Sequence, residues 1–423
     1  PHKVIVIGGG IVGLSTALFL ARRGAEVTVL ERDRIGDSAS AGNAGILAEA
    51  HPPLPRPGML RSAVRMVLDP KSPVFIRLRP DRSLVPFLIR FAMACSRERF
   101  QASMDTLCAV GRDAGACFRN LVEEERIECG CSATGWLEVF RDEEHFEAAL
   151  PLAELLRGNG YNVREQTGNR FRQAEPAFVD TVHGGLLFED SGFAHPGRFM
   201  DGLATAVRRH GGTIRESCEV ERIVAPDRRF REVLTSGGEA FGGDHLVLSA
   251  GAWSTGLART CGLDIPLQGG KGYHLVLDDT PARPTTTSVL AESFVAVTPL
   301  EGGLRLAGTV ELAGLDLSMN NTRCNRLLQG AAGYIRGIDQ ATVRSTWCGL
   351  RPMTAGGLPA IGWATGLDRV FVATGHAMMG FLLGPLTGRL AAESILDGCS
   401  SLDLSPFDLD GRLSAGSSPQ PSR

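Results

Sequence analysis

Residues 4–14, Val-Ile-Val-Ile-Gly-Gly-Gly-Ile-Val-Gly-Leu, run a β-branched stretch straight into glycines. Gly8, Gly10 and Gly13 stand at G-x-G-x-x-G spacing, and an apolar helical pattern continues through Leu14, Ala17, Leu18 and Leu20. The order is strand, tight turn, helix. Gly24 ends the helix, Val27-Thr28-Val29-Leu30 reads as a second strand, and Glu31 stands at its tip. The first glycine makes the turn, the second lets the backbone approach a pyrophosphate, and the third lets helix and strand pack closely. Gly8, Gly10, Ile11, Val12 and Gly13 are therefore expected to hold a dinucleotide at the positive, hydrogen-bond-rich start of the helix. Glu31 adds a carboxylate able to accept both hydroxyls of an unphosphorylated ribose.

At 423 residues the chain is long for one core, so two domains are expected. Its 43% hydrophobic and 22% charged residues are ordinary for a globular protein, and a formal charge of −3 offers no field for nucleic acid. The ten cysteines are scattered without a C-x-x-C pair or histidines at ligand spacing, so no metal is expected. Cys129-Gly-Cys131 is either a loop coincidence or a redox or metal element. Free thiols fit a cytoplasmic, reducing setting. With the first strand at residue 3 or 4, no signal peptide is expected ahead of it. No segment approaches about 18 unbroken apolar residues, the length of a membrane span. Leu84 to Cys95 is apolar on most faces and flanked by Arg79, Arg82, Arg90, Arg97 and Arg99. It reads as a packed helix with basic ends, the alternative being a peripheral contact with the inner membrane face.

After Glu31 comes Asp37-Ser-Ala-Ser-Ala-Gly-Asn-Ala-Gly45, small or polar throughout. Either it passes close to a flat ligand, with Ser40 and Asn43 as donors, or it is a surface linker. A proline-rich irregular stretch spans 51–80, helices are expected over 81–128 and 143–158, and strands at 134–140 and 185–189. Phe199 to His210 reads as a helix, and 213–216 and 220–224 as strands. His245-Leu-Val-Leu-Ser-Ala-Gly-Ala252 reads as a buried parallel strand ending in a small-residue turn. Alternation between 265 and 345 points to antiparallel strands, and Val370–Thr374 followed by Gly375-His-Ala-Met-Met-Gly380 repeats the strand-turn-helix opening. The expected architecture is mixed α/β: a Rossmann-like cofactor domain from 1–60, 195–262 and 346–410, an antiparallel-sheet substrate domain from 61–194 and 263–345, and a disordered tail over 411–423.

On these stretches, with Lys271-Gly-Tyr273, Gly349-Leu-Arg-Pro-Met-Thr354 and Pro359-Ala-Ile-Gly362, the chain resembles the FAD-dependent amino-acid oxidoreductases of the D-amino-acid oxidase superfamily. Among them it looks most similar to the bacterial D-amino-acid dehydrogenases. The resemblance implies an extended FAD. Arg32 would lie beside the adenosine, Val220 would bind adenine through its backbone, and Ala250 and Gly251 would approach the diphosphate. Ser40, Asn43, Ala44, Gly45 and Ile46 would line the ribityl chain and flavin. Gly375, His376, Met378, Met379, Gly380 and Phe381 would bring a helix start to the flavin, where it stabilises negative charge. Relatives attach flavin through a histidine near the first loop or a cysteine near the Gly349 motif. Ser38 to Ser40 contains no histidine and the later position aligns with Arg351, so non-covalent FAD is expected.

Oxidising an amino acid requires a cation for the carboxylate, a slot for the side chain, and a pose that offers the Cα hydrogen. Arg351 is the expected cation, since guanidinium matches carboxylate bidentately and Pro352 stiffens the turn. Tyr273 is either a pocket hydroxyl or a packed tyrosine. His51, His195 and His376 either border the pocket or serve the fold. The expected substrate is a D-amino acid or a secondary amine such as a proline derivative, with electrons passing to a quinone or carrier. Alternatives are an oxidase of amino acids, glycine or sarcosine that uses oxygen, and a non-catalytic flavin-binding redox module.

Overall fold

The computed structural model describes residues 2–59, 74–76, 83–278, 280–409 and 411–414. Two large sheets organise it. The first runs Leu413–Ser414, Ala360–Ala364, Val370–Thr374, His245–Leu248, Lys3–Ile7, Glu26–Leu30, Thr213–Arg215. Its five strands from Val370–Thr374 to Thr213–Arg215 pair in parallel, and the other two add antiparallel. Apolar burial explains the continuous Val-Ile-Val-Ile: Val4 and Val6 face one core, Ile5 and Ile7 the other, and all are at most 4% exposed. Lys3–Ile7 lies between Glu26–Leu30 and His245–Leu248, where the winding reverses, so Gly8 opens onto the crevice at which such sheets bind ligands.

The helices Ile11–Arg22 and Gly380–Leu396 pack together on one face of this sheet. Their contact is close enough that a Cβ on Gly388 would meet Thr16 N at 2.5 Å and Ser15 C at 2.6 Å. The strand-turn-helix units from the two ends of the chain are thus neighbours in space.

The second sheet has nine strands. Eight run in the order Thr342–Thr354, Leu267–Asp278, Gly303–Leu312, Val295–Leu300, Ser288–Leu290, Trp136–Phe140, Gly184–Phe188, Val163–Thr167. Pairing is antiparallel except between Ser288–Leu290 and Trp136–Phe140, and where Val74–Ile76 joins Gly303–Leu312. One face carries Leu275, Leu277, Leu304 and Leu306 against Cys324 and Leu327 of the helix Asn321–Ala332. The opposite face meets the loop at residues 41–44.

Three boundaries differ from expectation. The strand Thr342–Thr354 is continuous, so a division at 346 cuts through it, and Arg351 belongs to the substrate sheet. The helix Arg97–Glu125 gives Leu107, Val110, Ala114, Cys117, Phe118 and Leu121 to the core of the cofactor sheet, so 61–194 is not one structural unit. Leu413 and Ser414 pair with Ala364 and Trp363, which puts the start of the expected tail on a sheet edge. Residues 415–423, much of the proline-rich stretch 51–80, and Arg79 and Arg82 lie outside the described residues. The helix Leu84–Ala94 buries Leu84 and Phe87 but leaves Val85, Ile89 and Met93 at least 52% exposed, so it is packed on one side only. Among the described residues no helix is long and apolar enough to cross a membrane.

Candidate cofactor and substrate site

The glycine turn is built against its neighbours. Gly8 sits at φ 104°, and a Cβ there would meet Ser249 O at 2.5 Å. A Cβ on Gly13 would run into the Gly8 carbonyl oxygen and lie 2.8 Å from Ser249 Oγ. Glu31 is buried and accepts from Gly9 N at 2.6 Å and Asp33 N at 2.9 Å, which fixes its carboxylate beside the turn with acceptor capacity left over. Ser40 Oγ accepts from Ile11 N at 3.0 Å, so its oxygen serves the helix start and its proton remains to be donated. The N–H groups of Val12 and Gly13 find no acceptor among the described residues. Unpaired donors, a cradle that rejects a Cβ and an adjacent carboxylate fit the diphosphate and ribose of FAD.

The other expected cofactor contacts gather on the same side. Arg32 stacks on Trp253, 4.1 Å from the ring centroid, and Cys218 N donates to Glu31 O at 2.8 Å, bringing the Val220 strand to the same place. Gly251 O accepts from Thr374 Oγ1 at 3.1 Å, so the turn at Ala250 and Gly251 is tied to the end of the strand Val370–Thr374. At the following turn Gly375 has φ 78° and Ala377 the strained value of 48°. Ala377 N donates to Pro352 O at 2.8 Å, and Met353 bridges His376, so this turn is linked to the strand that carries Arg351. Met379 precedes the helix that Gly380 begins, whereas the Phe381 ring is core, packed 5.4 Å from Phe118 and 5.7 Å from Phe199.

The loop glycines have a different reason from the one expected. A Cβ on Gly42 would collide with the Trp347 ring, and one on Gly45 would meet Ala194 O at 2.5 Å and the Phe193 ring at 2.6 Å. They make room for protein. Ile46 pairs with Phe193, and Asn43 Oδ1 accepts from Gly45 N at 2.8 Å.

Strand register decides which of the expected substrate residues share a face. Residues paired across a ladder point to one face. Trp347, His274, Ala307, Ala296, Val289 and Glu138 are paired in succession across the second sheet, so they form one row on the face turned to the loop. Arg351 shares this face. Its guanidinium overlies Gly272, within 2.6 Å of where a Cβ there would stand, and Nη1 donates to Thr309 O at 2.8 Å. Thr309 holds φ 68° at a break in register, which turns that carbonyl toward Arg351. Burial lowers Arg351 to about 10, and it has no acidic partner among the described residues. At the far end of the row burial pushes the Glu138 carboxyl up to about 7.

Tyr273 is a correction. Adjacent strand residues alternate, so Tyr273 faces the helix Asn321–Ala332, 1% exposed, with its hydroxyl donating to Glu311 Oε2 at 2.8 Å. Cys348 also points that way, its thiol bonded to Leu317 O. His376 is likewise removed from the pocket: its Nε2 meets Thr387 Oγ1 at 2.9 Å inside the helix packing. His195 caps the helix Pro196–Arg209 by accepting from Arg198 N at 3.3 Å. His51 is half-buried, with Nδ1 2.7 Å from Pro52 O, and burial lowers it to about 4, which keeps its ring neutral. His274, Trp347, Arg305 and Thr298 escaped the sequence reading. A charged residue between Leu304 and Leu306 in a central strand was the available signal.

Burial lowers His274 to about 4 and His376 to about 3 from 6.5. Folded, each binds a proton less readily than unfolded, so the stability they contribute is complete above pH 6.5 and is lost as pH falls through 4 toward 3. At roughly 1.4 kcal/mol per unit for each histidine, Tm should drop steeply between pH 6 and pH 4. A thermal melt unchanged over that interval would contradict their neutral burial.

The family described as FAD dependent oxidoreductase (DAO) matches residues 3–394. The chain is 30% identical over 420 residues to a D-amino acid dehydrogenase of Phenylobacterium zucineum, covering 98% of both chains. It is 32% identical over 425 residues to one of Xanthobacter autotrophicus, covering 96% of this chain and 98% of that one. In fold it is similar to glycine oxidase from Geobacillus kaustophilus (TM-score 0.77, 24% identity, 98% and 100% of the two chains). It is also similar to L-proline dehydrogenase from P. horikoshii (TM-score 0.75, 19% identity, 98% and 99%).

Proposed function

The chain belongs to the FAD dependent oxidoreductase family, an enzyme with FAD as cofactor, and on that premise we propose that it oxidatively deaminates a free D-amino acid or a proline-like secondary amine. The observation that carries this reading is Arg351, a guanidinium on the floor of the site with no carboxylate partner among the described residues. It suits the α-carboxylate of a substrate, and near-full-length similarity to two D-amino acid dehydrogenases supports the substrate class.

FAD, when bound, supplies the acceptor for the hydride that leaves Cα. The chain's residues do the rest. Arg351 seats the carboxylate, and the Trp347–His274 stack, 5.0 Å between centroids, walls the site on that side. Ala307, Ala296 and Val289 leave low ground for a side chain. The amine must be neutral for hydride to leave, and it enters so, since burial lowers His51 to about 4 and leaves its ring a poor acceptor for an ammonium proton. Loss of hydride and a proton leaves an imine, which water converts to the oxo acid and ammonia when the substrate is a primary amine, and to an oxo acid that keeps its nitrogen when the substrate is a cyclic secondary amine. FAD is held without a covalent link in this reading: Ser38 to Ser40 contains no histidine, Arg351 stands at the cysteine position, and the nearby Cys348 turns from the site. A quinone or another carrier is the acceptor, and the exposed ridge of Val85, Ile89 and Met93 would suit a membrane-borne one.

Anaerobic titration with enantiomeric pairs of amino acids and with secondary amines tests the proposal. The visible flavin band should bleach with the D but not the L member of a pair. A spectrum indifferent to the whole panel would end it.

A further inference from the structure

Four successive carbonyls of the flavin loop are taken by side chains of the substrate sheet. Arg305 Nη1 donates to Asn43 O at 2.6 Å and to Ala41 O at 3.3 Å. His274 Nδ1 donates to Gly42 O at 3.1 Å, and Thr298 Oγ1 to Ala44 O at 2.8 Å. Thr298 and Arg305 are cross-strand partners, and His274 comes from the strand on the far side of Arg305. Burial keeps His274 neutral, so a ring bonded to a carbonyl through Nδ1 carries its one proton there.

A peptide group points its C=O and N–H in opposite directions. Fixing these carbonyls therefore aims the N–H groups of residues 42–45 away from the sheet. Three are used locally: Gly42 N donates to Ser38 O, Asn43 N to Ser40 O, and Gly45 N to Asn43 Oδ1. The fourth, Ala44 N, has no acceptor among the described residues, and Ala44 is only half-buried. It belongs to the peptide whose carbonyl, Asn43 O, receives the 2.6 Å bond from Arg305.

Arg305 is 7% exposed and has no acidic partner among the described residues. An uncompensated buried cation is costly, and packing alone would be served by an apolar side chain. Charge-assisted bonds to the loop offset that cost and polarise the peptides they hold.

We propose that Arg305 is a positioning residue for FAD: through the Asn43–Ala44 peptide, with His274 and Thr298 on either side, it aims the Ala44 N–H at the cofactor. The substrate sheet thereby sets a contact that lies in the cofactor domain's loop.

The test is FAD affinity, apoprotein Tm and visible circular dichroism of the bound flavin for Arg305→Met, Arg305→Lys and the near-isosteric Thr298→Val. Arg305→Met should weaken FAD binding by about a hundredfold and Arg305→Lys by about tenfold, because a point charge replaces a planar fork. Thr298→Val should alter the flavin dichroism with the apoprotein Tm nearly unchanged. Guanidinium ion should restore part of the FAD affinity of Arg305→Ala. Wild-type affinity and dichroism in Arg305→Met would overturn the proposal. So would a loss of FAD that follows the fall in apoprotein Tm and that guanidinium does not repair.

Discussion

Replacing Arg351 by methionine is expected to lower kcat/KM for the amino-acid substrate by at least about a hundredfold, with Arg351→Lys losing at least about tenfold, while FAD stays bound. The guanidinium overlies Gly272, with Nη1 anchored on Thr309 O, so its direction is set before substrate arrives. A lysine ammonium has neither the reach nor the paired donors to replace it. Because burial already lowers Arg351 to about 10, any anion it meets exchanges little water for the contact, and the bond is worth more than on a surface. A lower rate alone would not identify the partner. The discriminating measurement compares each amino acid with the amine that lacks its carboxylate. Wild-type enzyme should strongly prefer the acid, and Arg351→Met should treat the two nearly alike. A variant that kept the wild-type preference would show that the carboxylate is held elsewhere.

Much of the cofactor half was legible because its information is local. Strand, glycine turn, helix and Glu31 fall within 31 consecutive residues, and each follows from spacing and periodicity. The substrate half is different. Its face is assembled from single residues on six strands, and neighbouring residues on a strand point oppositely. Tyr273 and His274 show the consequence: spacing located the strand, but only pairing with Cys348 and Trp347 reveals which of the two faces the loop. Arg305 gives no local sign of its role, because the carbonyls that justify burying it are 262 and 264 residues away in sequence. The boundary at 346 failed for a related reason. Nothing local in Thr342–Thr354 marks the change from sheet to cofactor crevice, since one strand serves both.

The glycine turn yields the other large effect, and here two physical terms oppose each other. Gly13 lies inside the helix Ile11–Arg22, where alanine is intrinsically preferred to glycine by about 1 kcal/mol. Yet a Cβ at Gly13 would run into the Gly8 carbonyl and crowd Ser249 Oγ at 2.8 Å. Neither neighbour can yield easily. Gly8 N is bonded to Leu30 O, and Ser249 bonds Ile7 O through both N and Oγ, so all are held by the central strands. Forcing a methyl into such a contact costs about 1–3 kcal/mol, which exceeds the helix preference, so Gly13→Ala should be destabilised. The strain is relieved by moving the turn, and with it the unpaired N–H groups of Val12 and Gly13, so FAD affinity should fall by about a hundredfold or more. Gly256 supplies the control. It lies in the helix Ser254–Thr260 with open space where its Cβ would be, so Gly256→Ala should be neutral or slightly stabilising and leave FAD binding unchanged. Melting the apoproteins and titrating each with FAD separates the two terms. If Gly13→Ala behaved like Gly256→Ala in both measurements, close packing would not be why glycine stands at position 13.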